Sequence, residues 1–192
     1  MADILSKLFG SASRVKLLRL FLFNPQTTFA ASEAAERSRV PIKEANAEIT
    51  LLKNLGLIRR ANRGKTARWG INPEFAYLLA LQNLLLNAPA RAGEIYERLR
   101  RAGALKLVVV AGVFVGEWEG SVDLLIVGDR VKDRVLQRSI RLLESEIGKD
   151  IRYTLLTTDE FFYRLNMNDH LVRDVLDYTH NIVFDRLDIG LE

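Results

Sequence analysis

Two apolar runs, Leu105–Ala111 (LKLVVVA) and Ser121–Val127 (SVDLLIV), constrain the fold of this chain more than any other feature. Short apolar runs rich in β-branched residues read as strands. The stretch linking them, Ala111–Asp129 (AGVFVGEWEGSVDLLIVGD), puts Gly112 and Gly116 just after the first strand and Asp123 within the second. Around this pair the pattern predicts a helix over Arg91–Arg101 and another over Arg130–Ile147, with Val131, Val135, Ile140, Leu142 and Leu143 as its apolar content. A third strand is expected over Asp150–Leu156, helical segments over Glu160–Leu165 and His170–Tyr178, and a short final strand at Ile182–Phe184. That order predicts an α/β layer sandwich on a small mixed sheet.

The front of the chain follows a different period. In SASRVKLLRLFLF, Leu17, Leu18, Phe21 and Leu22 recur at helical spacing, with Ser11 or Ser13 available as the cap. Asn24-Pro25 ends that helix, because a residue before proline avoids the α region. A second helix is expected over Ala30–Arg37, then a connector Ser38-Arg39-Val40, then a third helix from Pro41 that turns Ala45, Ile49 and Leu52 inward. Gly56 terminates it. Leu57–Arg60 and Ala67–Ile71 read as short strands around the turn Asn62-Arg63-Gly64-Lys65. Phe75–Leu86 is then apolar over too wide an arc for a simple surface helix. Its cover is a second copy of the chain, the rear half, or both. Asn87-Ala88-Pro89 is the expected domain boundary.

Charge is uneven. Residues 1–90 carry 13 Lys+Arg against 6 Asp+Glu, a net of +7, and the remainder carries 15 against 18, a net of −3. A polyanion partner would therefore belong to the front.

LFGSASRVKLLRLFLFNP, ITLLKNLGLIRR and a basic hairpin ending in GIN resemble the ArsR-like winged helix-turn-helix of bacterial regulators, over about residues 8–73. The version fused to a nucleotidyltransferase-like domain is the most similar. The resemblance implies double-stranded DNA as partner, with the third helix in the major groove. Its outward residues Lys43, Asn46, Ala47 and Thr50 would meet bases. Arg39, in the connector, and the wing residues Arg60, Arg63, Lys65 and Arg68 would meet phosphates. Glu44 and Glu48 oppose that reading, since carboxylates repel phosphates, although they can accept from cytosine N4. The alternative is a winged helix that binds protein. Such regulators also bind as symmetric dimers, which implies a homodimer.

Residues 90–186 resemble the small nucleotidyltransferase domain. In that family a glycine-serine turn holds the triphosphate and an Asp-x-Asp on the next strand shares magnesium. Here Gly112 stands at the glycine, but Val113 replaces the serine. Gly116-Glu117 matches the later glycine and its acidic neighbour. Ser121-Val122-Asp123 lies over Asp-x-Asp, so Ser121 replaces the first acid. Arg152 and Thr154 occupy positions where a third carboxylate would sit. One acid cannot hold two magnesium ions, so the expectation is a non-catalytic domain with no metal and no cofactor. Gly112, Gly116 and Asp123 are left as a vestigial ligand-binding set for a small-molecule or nucleotide effector. The rival for Asp123 is a strand-end residue capping a turn. Glu117 or Glu119 would have to supply the missing acid in an active enzyme.

The composition excludes other classes. There is no cysteine, so neither a disulfide framework nor a thiolate metal site is open, and His170 and His180 alone make no zinc set. The apolar run Leu107–Val115 is far short of the about 20 residues that cross a membrane, and MADILSKLFG lacks a signal-peptide pattern. The expected class is α+β: a winged helix-turn-helix domain over 1–88, with a linker or dimer helix at 74–87, and a nucleotidyltransferase-like domain over 89–192. The expected function is that of a cytoplasmic, dimeric, DNA-binding transcriptional regulator.

Overall fold

The computed structural model describes residues 4–61, 64–86, 92–117 and 120–189. It is α+β, with a three-stranded antiparallel sheet and a four-stranded mixed sheet. The chain divides into two compact units, residues 1–88 with 143–150, and residues 89–142 with 151–192. The expected boundary segment Asn87–Pro89 lies outside the described residues, as does Arg63.

The first unit contains α1 (Ile4–Leu8), α2 (Ala12–Leu22), β1 (Phe29–Ala30), α3 (Ala31–Ser38), α4 (Ile42–Asn54), β2 (Ile58–Arg60), β3 (Arg68–Ile71) and α5 (Leu78–Leu86). Ser11 caps α2, its side chain accepting from the Arg14 amide at 3.1 Å. Val15, Leu17, Leu18, Leu20, Phe21 and Leu22 of α2 are all buried, so this helix is the axis of the core. Helix α4 buries Ala45, Ile49 and Leu52, as their spacing predicts. Its end is a Schellman motif around Gly56, which has φ of +77°. The Gly56 amide donates to the Lys53 carbonyl at 2.9 Å, and the Leu57 amide donates to the Leu52 carbonyl at 3.0 Å.

Two elements depart from expectation. Phe29–Ala30 form a strand rather than the start of α3, pairing antiparallel with Trp69 and Arg68. The sheet order is therefore β1-β3-β2, and a two-residue strand has no local alternation to reveal it. Helix α5 begins at Leu78 and not at Phe75, because the Asn72 side chain and carbonyl hold the amides of Glu74 and Phe75 in a turn. Leu85 of α5 is buried and the Gln82 side chain donates to the Leu22 carbonyl at 3.0 Å, whereas Leu79 is 70% exposed and Leu84 42% exposed.

The second unit is built on the sheet order β6-β5-β4-β7, from β4 (Ala104–Val110), β5 (Leu124–Asp129), β6 (Tyr153–Leu156) and β7 (Asn181–Asp185). Strand β5 pairs antiparallel with β4 and parallel with β6, and β7 lies antiparallel on the other side of β4. Both apolar runs occupy the centre of the sheet: Leu107–Val110 and Leu124–Val127 are buried throughout, on both faces. One face packs Leu107, Val109, Leu125 and Val127 against Phe161, Val172 and Val175. These come from α8 (Thr158–Asn166) and α9 (His170–Leu176). Helix α6 (Ala92–Leu99) stacks Tyr96 on Phe184 of β7, ring centroids 4.0 Å apart. The helix α7 (Asp133–Ile147) connects the parallel strands β5 and β6. The helices α6, α8 and α9 match their expected positions to within two residues at each described end.

Candidate functional site

In the first unit the exposed side of α4 is the candidate surface. Lys43, Asn46, Ala47 and Thr50 sit at i, i+3, i+4 and i+7 and are all exposed, opposite the buried Ala45, Ile49 and Leu52. The two acids of the helix occupy a third face, turned to α2. Glu44 accepts a hydrogen bond from the Ser13 hydroxyl. Glu48 accepts from Nε of Arg14 at 2.8 Å, and its side chain is only 11% exposed. Arg14 also donates to the Phe9 carbonyl at 2.8 Å, which fixes the guanidinium over Glu48. Both carboxylates thus lie off the face that carries Lys43, Asn46, Ala47 and Thr50, Glu48 paired with an arginine and Glu44 exposed but hydrogen-bonded.

Helices α3 and α4 are joined by Arg39, Val40 and Pro41. Arg39 adopts the left-handed conformation, φ 49° and ψ 51°, and its amide donates to the last carbonyls of α3. Its side chain is exposed. In the hairpin, Arg60 and Lys65 are exposed, and Arg60 donates to the Gly64 carbonyl at 2.9 Å, tying the strand to the turn. Arg59, which the motif alone does not single out, is exposed beside Arg60. Arg68 differs from its neighbours. Two of its nitrogens meet both oxygens of Glu33 at 2.8 Å, and its Nε donates to the Thr28 hydroxyl at 3.1 Å. Glu33 also accepts from the Ala30 amide at 3.0 Å. Arg68 therefore clamps β3 to the start of α3, with its charge offset by Glu33. The hydrogen bonds from Arg68, then the Ala30 amide, hold the Glu33 carboxyl below its ordinary range against a smaller opposing effect of burial.

In the second unit the vestigial set converges on Asp123, which is completely buried. Its Oδ1 accepts from the Val113 amide at 3.0 Å and from Nη2 of Arg152 at 2.8 Å. Its Oδ2 accepts from the Arg152 amide at 2.8 Å and from Nε of the same residue at 2.9 Å. The pair is bidentate, the strongest arrangement between these groups. Burial is the largest single influence on Asp123 and pushes its carboxyl up. The Arg152 side-chain bonds, the two amides and the Arg152 charge together outweigh it and hold the carboxyl below the ordinary aspartate range. Asp123 in turn raises the Arg152 guanidinium.

Gly112 makes this possible. Its φ is +51°, and a Cβ there would lie 2.1 Å from Oδ1 of Asp123. The close approach that this glycine permits is taken up by the protein's own carboxylate. The following turn spends its amides internally: Phe114 donates to the Ala111 carbonyl, and Val115 and Glu117 donate to the Gly112 carbonyl, all at 2.9–3.0 Å. Gly116 has φ of +86° and is exposed, with open space where a Cβ would stand. The Ser121 hydroxyl donates to Asp174 at 3.1 Å. Glu117 is exposed, and Glu119 lies outside the described residues. Among the described residues no group of three or more His, Asp and Glu side chains is placed to hold a metal ion, and no helix is long and apolar enough to cross a membrane.

No protein-family model, no curated protein and no solved structure matches this chain.

Proposed function

We propose that the protein is a sequence-specific, double-stranded-DNA-binding transcriptional regulator. Its first unit acts as a winged helix-turn-helix. Its second unit is a nucleotidyltransferase-like domain that carries out no transfer and serves dimerisation or effector sensing. The observation that carries the reading is the sorting of charge on α4. Lys43, Asn46, Ala47 and Thr50 face solvent on one side of the helix, while on another side the exposed Glu44 accepts from Ser13 and Glu48 is paired with Arg14. A helix presented this way offers donors and methyls to a major groove without a carboxylate among them.

Arg39 adds a second support. A non-glycine residue in the left-handed region costs about 1 kcal/mol or more, and glycine is the usual occupant of a helix end of this kind. A cation kept at that cost, exposed at the turn before α4, suits a phosphate contact. Arg60 and Lys65, with Arg63 from the sequence, would hold the flanking backbone. The protein would act as a homodimer on two half-sites, with the exposed Leu79 and Leu84 of α5 available for pairing. It would work in the cytoplasm.

The non-catalytic reading of the second unit rests on Asp123. Both oxygens of its carboxylate are bonded to Arg152, a residue whose fixed positive charge stands where catalysis would need a third acid. DNA binding is tested by the salt dependence of affinity. Each phosphate contact contributes about 0.9 to the slope of log K against log salt. Replacing Arg63 and Lys65 with alanine should lower the slope by about 2, and an unchanged slope removes the wing from the interface. Incubation with labelled nucleoside triphosphates and magnesium tests the second unit: label incorporation sensitive to Asp123→Asn would overturn the non-catalytic reading.

A further inference from the structure

The readable face of α4 is chemically sparse, and its composition restricts what it can recognise. Thr50 spends its hydroxyl proton on the Asn46 carbonyl one turn back, at 2.8 Å, so it offers a groove a methyl group and an acceptor oxygen. Ala47, exposed beside it, offers only a methyl. Asn46 offers an amide, the one group on this face with both a donor and an acceptor, and Lys43 offers a cation near the helix start. Glu44 and Glu48, the carboxylates that would accept most strongly from the cytosine amine, are hydrogen-bonded to Ser13 and Arg14 of α2.

Major-groove chemistry assigns each of these a partner. A carboxamide pairs bidentately with adenine N6 and N7, a lysine meets guanine O6 and N7, and methyl groups pack on the thymine methyl. We infer that α4 reads a half-site containing a guanine met by Lys43 and an A·T step met by Asn46 together with the methyls of Ala47 and Thr50. This assignment rests on the DNA-binding reading above and adds the class of base sequence that the site accepts.

The test is selection of duplexes from a randomised pool by the full chain, followed by affinity measurement on the selected site. The wild-type chain should enrich a half-site with a guanine and an adjacent A·T step. Asn46→Ala should relax the preference for adenine at one position by roughly 5- to 150-fold. Deoxyuridine in place of thymidine at the step removes the methyl without altering the protein. It should weaken binding by the wild-type chain and have a smaller effect on Thr50→Ser. If the wild-type chain selects a sequence and neither Asn46→Ala nor deoxyuridine changes its preference, the base assignment falls and the DNA-binding reading stands. If the wild-type chain binds every duplex equally, the assignment also falls. If it binds none, both fall together.

Discussion

Each unit contains an arginine whose Nε and Nη2 both reach one carboxylate, and the two pairs do opposite things. Arg14 and Glu48 lie on the side of α4 away from its exposed face, with the carboxylate 11% exposed. Their contact withdraws a negative charge from a surface and leaves the neighbouring cation and amide outward. Arg152 and Asp123 meet where the carboxylate is wholly buried and also holds two backbone amides. Their contact occupies both oxygens of the carboxylate, while the Arg152 side chain stays 42% exposed. The chemistry is the same in both. Burial and the number of other donors on the carboxylate decide whether it shapes a surface or closes a cavity.

The sharpest way to break this comparison is to remove the arginine from each pair. Arg152→Ala leaves a buried carboxylate with two amides and no counter-charge, and should cost about 3–5 kcal/mol in urea unfolding. Arg14→Ala should cost less, about 1–3 kcal/mol, because Glu48 keeps some access to water, and on the proposed function it should also weaken DNA binding, because the Glu48 charge is then uncompensated on α4. Equal losses of stability from the two variants would show that burial does not separate the pairs.

Gly112→Ala should approach the effect of losing Arg152. Its Cβ collides with Oδ1 of Asp123 at a positive φ, and a loss of about 2–3 kcal/mol by urea unfolding is expected.

Acidification sharpens the contrast by sign. The folded-state carboxyl of Asp123 is depressed, so its stabilisation is complete above the ordinary aspartate value of about 3.9. It is lost as pH falls through the lower folded value. In Arg152→Ala the burial that raises this carboxyl is left opposed only by the amides. Where burial wins, acidification toward pH 4 should relieve the variant and stabilise it relative to neutral pH. Measured from pH 7 to pH 4, the stability of the variant relative to wild type should rise as pH falls, and a constant difference would show that the amides hold the carboxylate charged without Arg152.

The smallest effect is expected at Arg39. Arg39→Gly relieves the left-handed backbone and should raise thermal stability by about 1 kcal/mol, while lowering the salt slope of DNA binding by about 0.9.

Local rules account for much of this architecture. The periodicity of α2 and α4, the Schellman glycine and the two central strands follow from residues within a few positions of each other, so each is legible in the sequence alone. Strand β5 begins at Leu124 rather than Ser121, and β6 at Tyr153 rather than Asp150, because pairing and not apolarity sets those ends. What the sequence hides depends on distant pairs. Phe29 is a strand because Trp69 lies beside it. Arg68 looks like any other cation of the hairpin until Glu33, 35 positions earlier, is found beside it. The sequence pattern places Asp123 and Arg152 on neighbouring strands and leaves open that Asp123 caps a turn. It does not say that an arginine and an aspartate 29 residues apart share four hydrogen-bonding atoms. The α2 partners of Glu44 and Glu48 are equally out of its reach.

The guanidinium over Asp123 also limits how this region can evolve. A mutation that deletes Arg152 alone strands an anion in the protein interior, and one that installs an acid at Ser121 alone sets it against Asp174. Either single change toward a cation-holding centre is therefore expected to destabilise the fold before any cation can compensate.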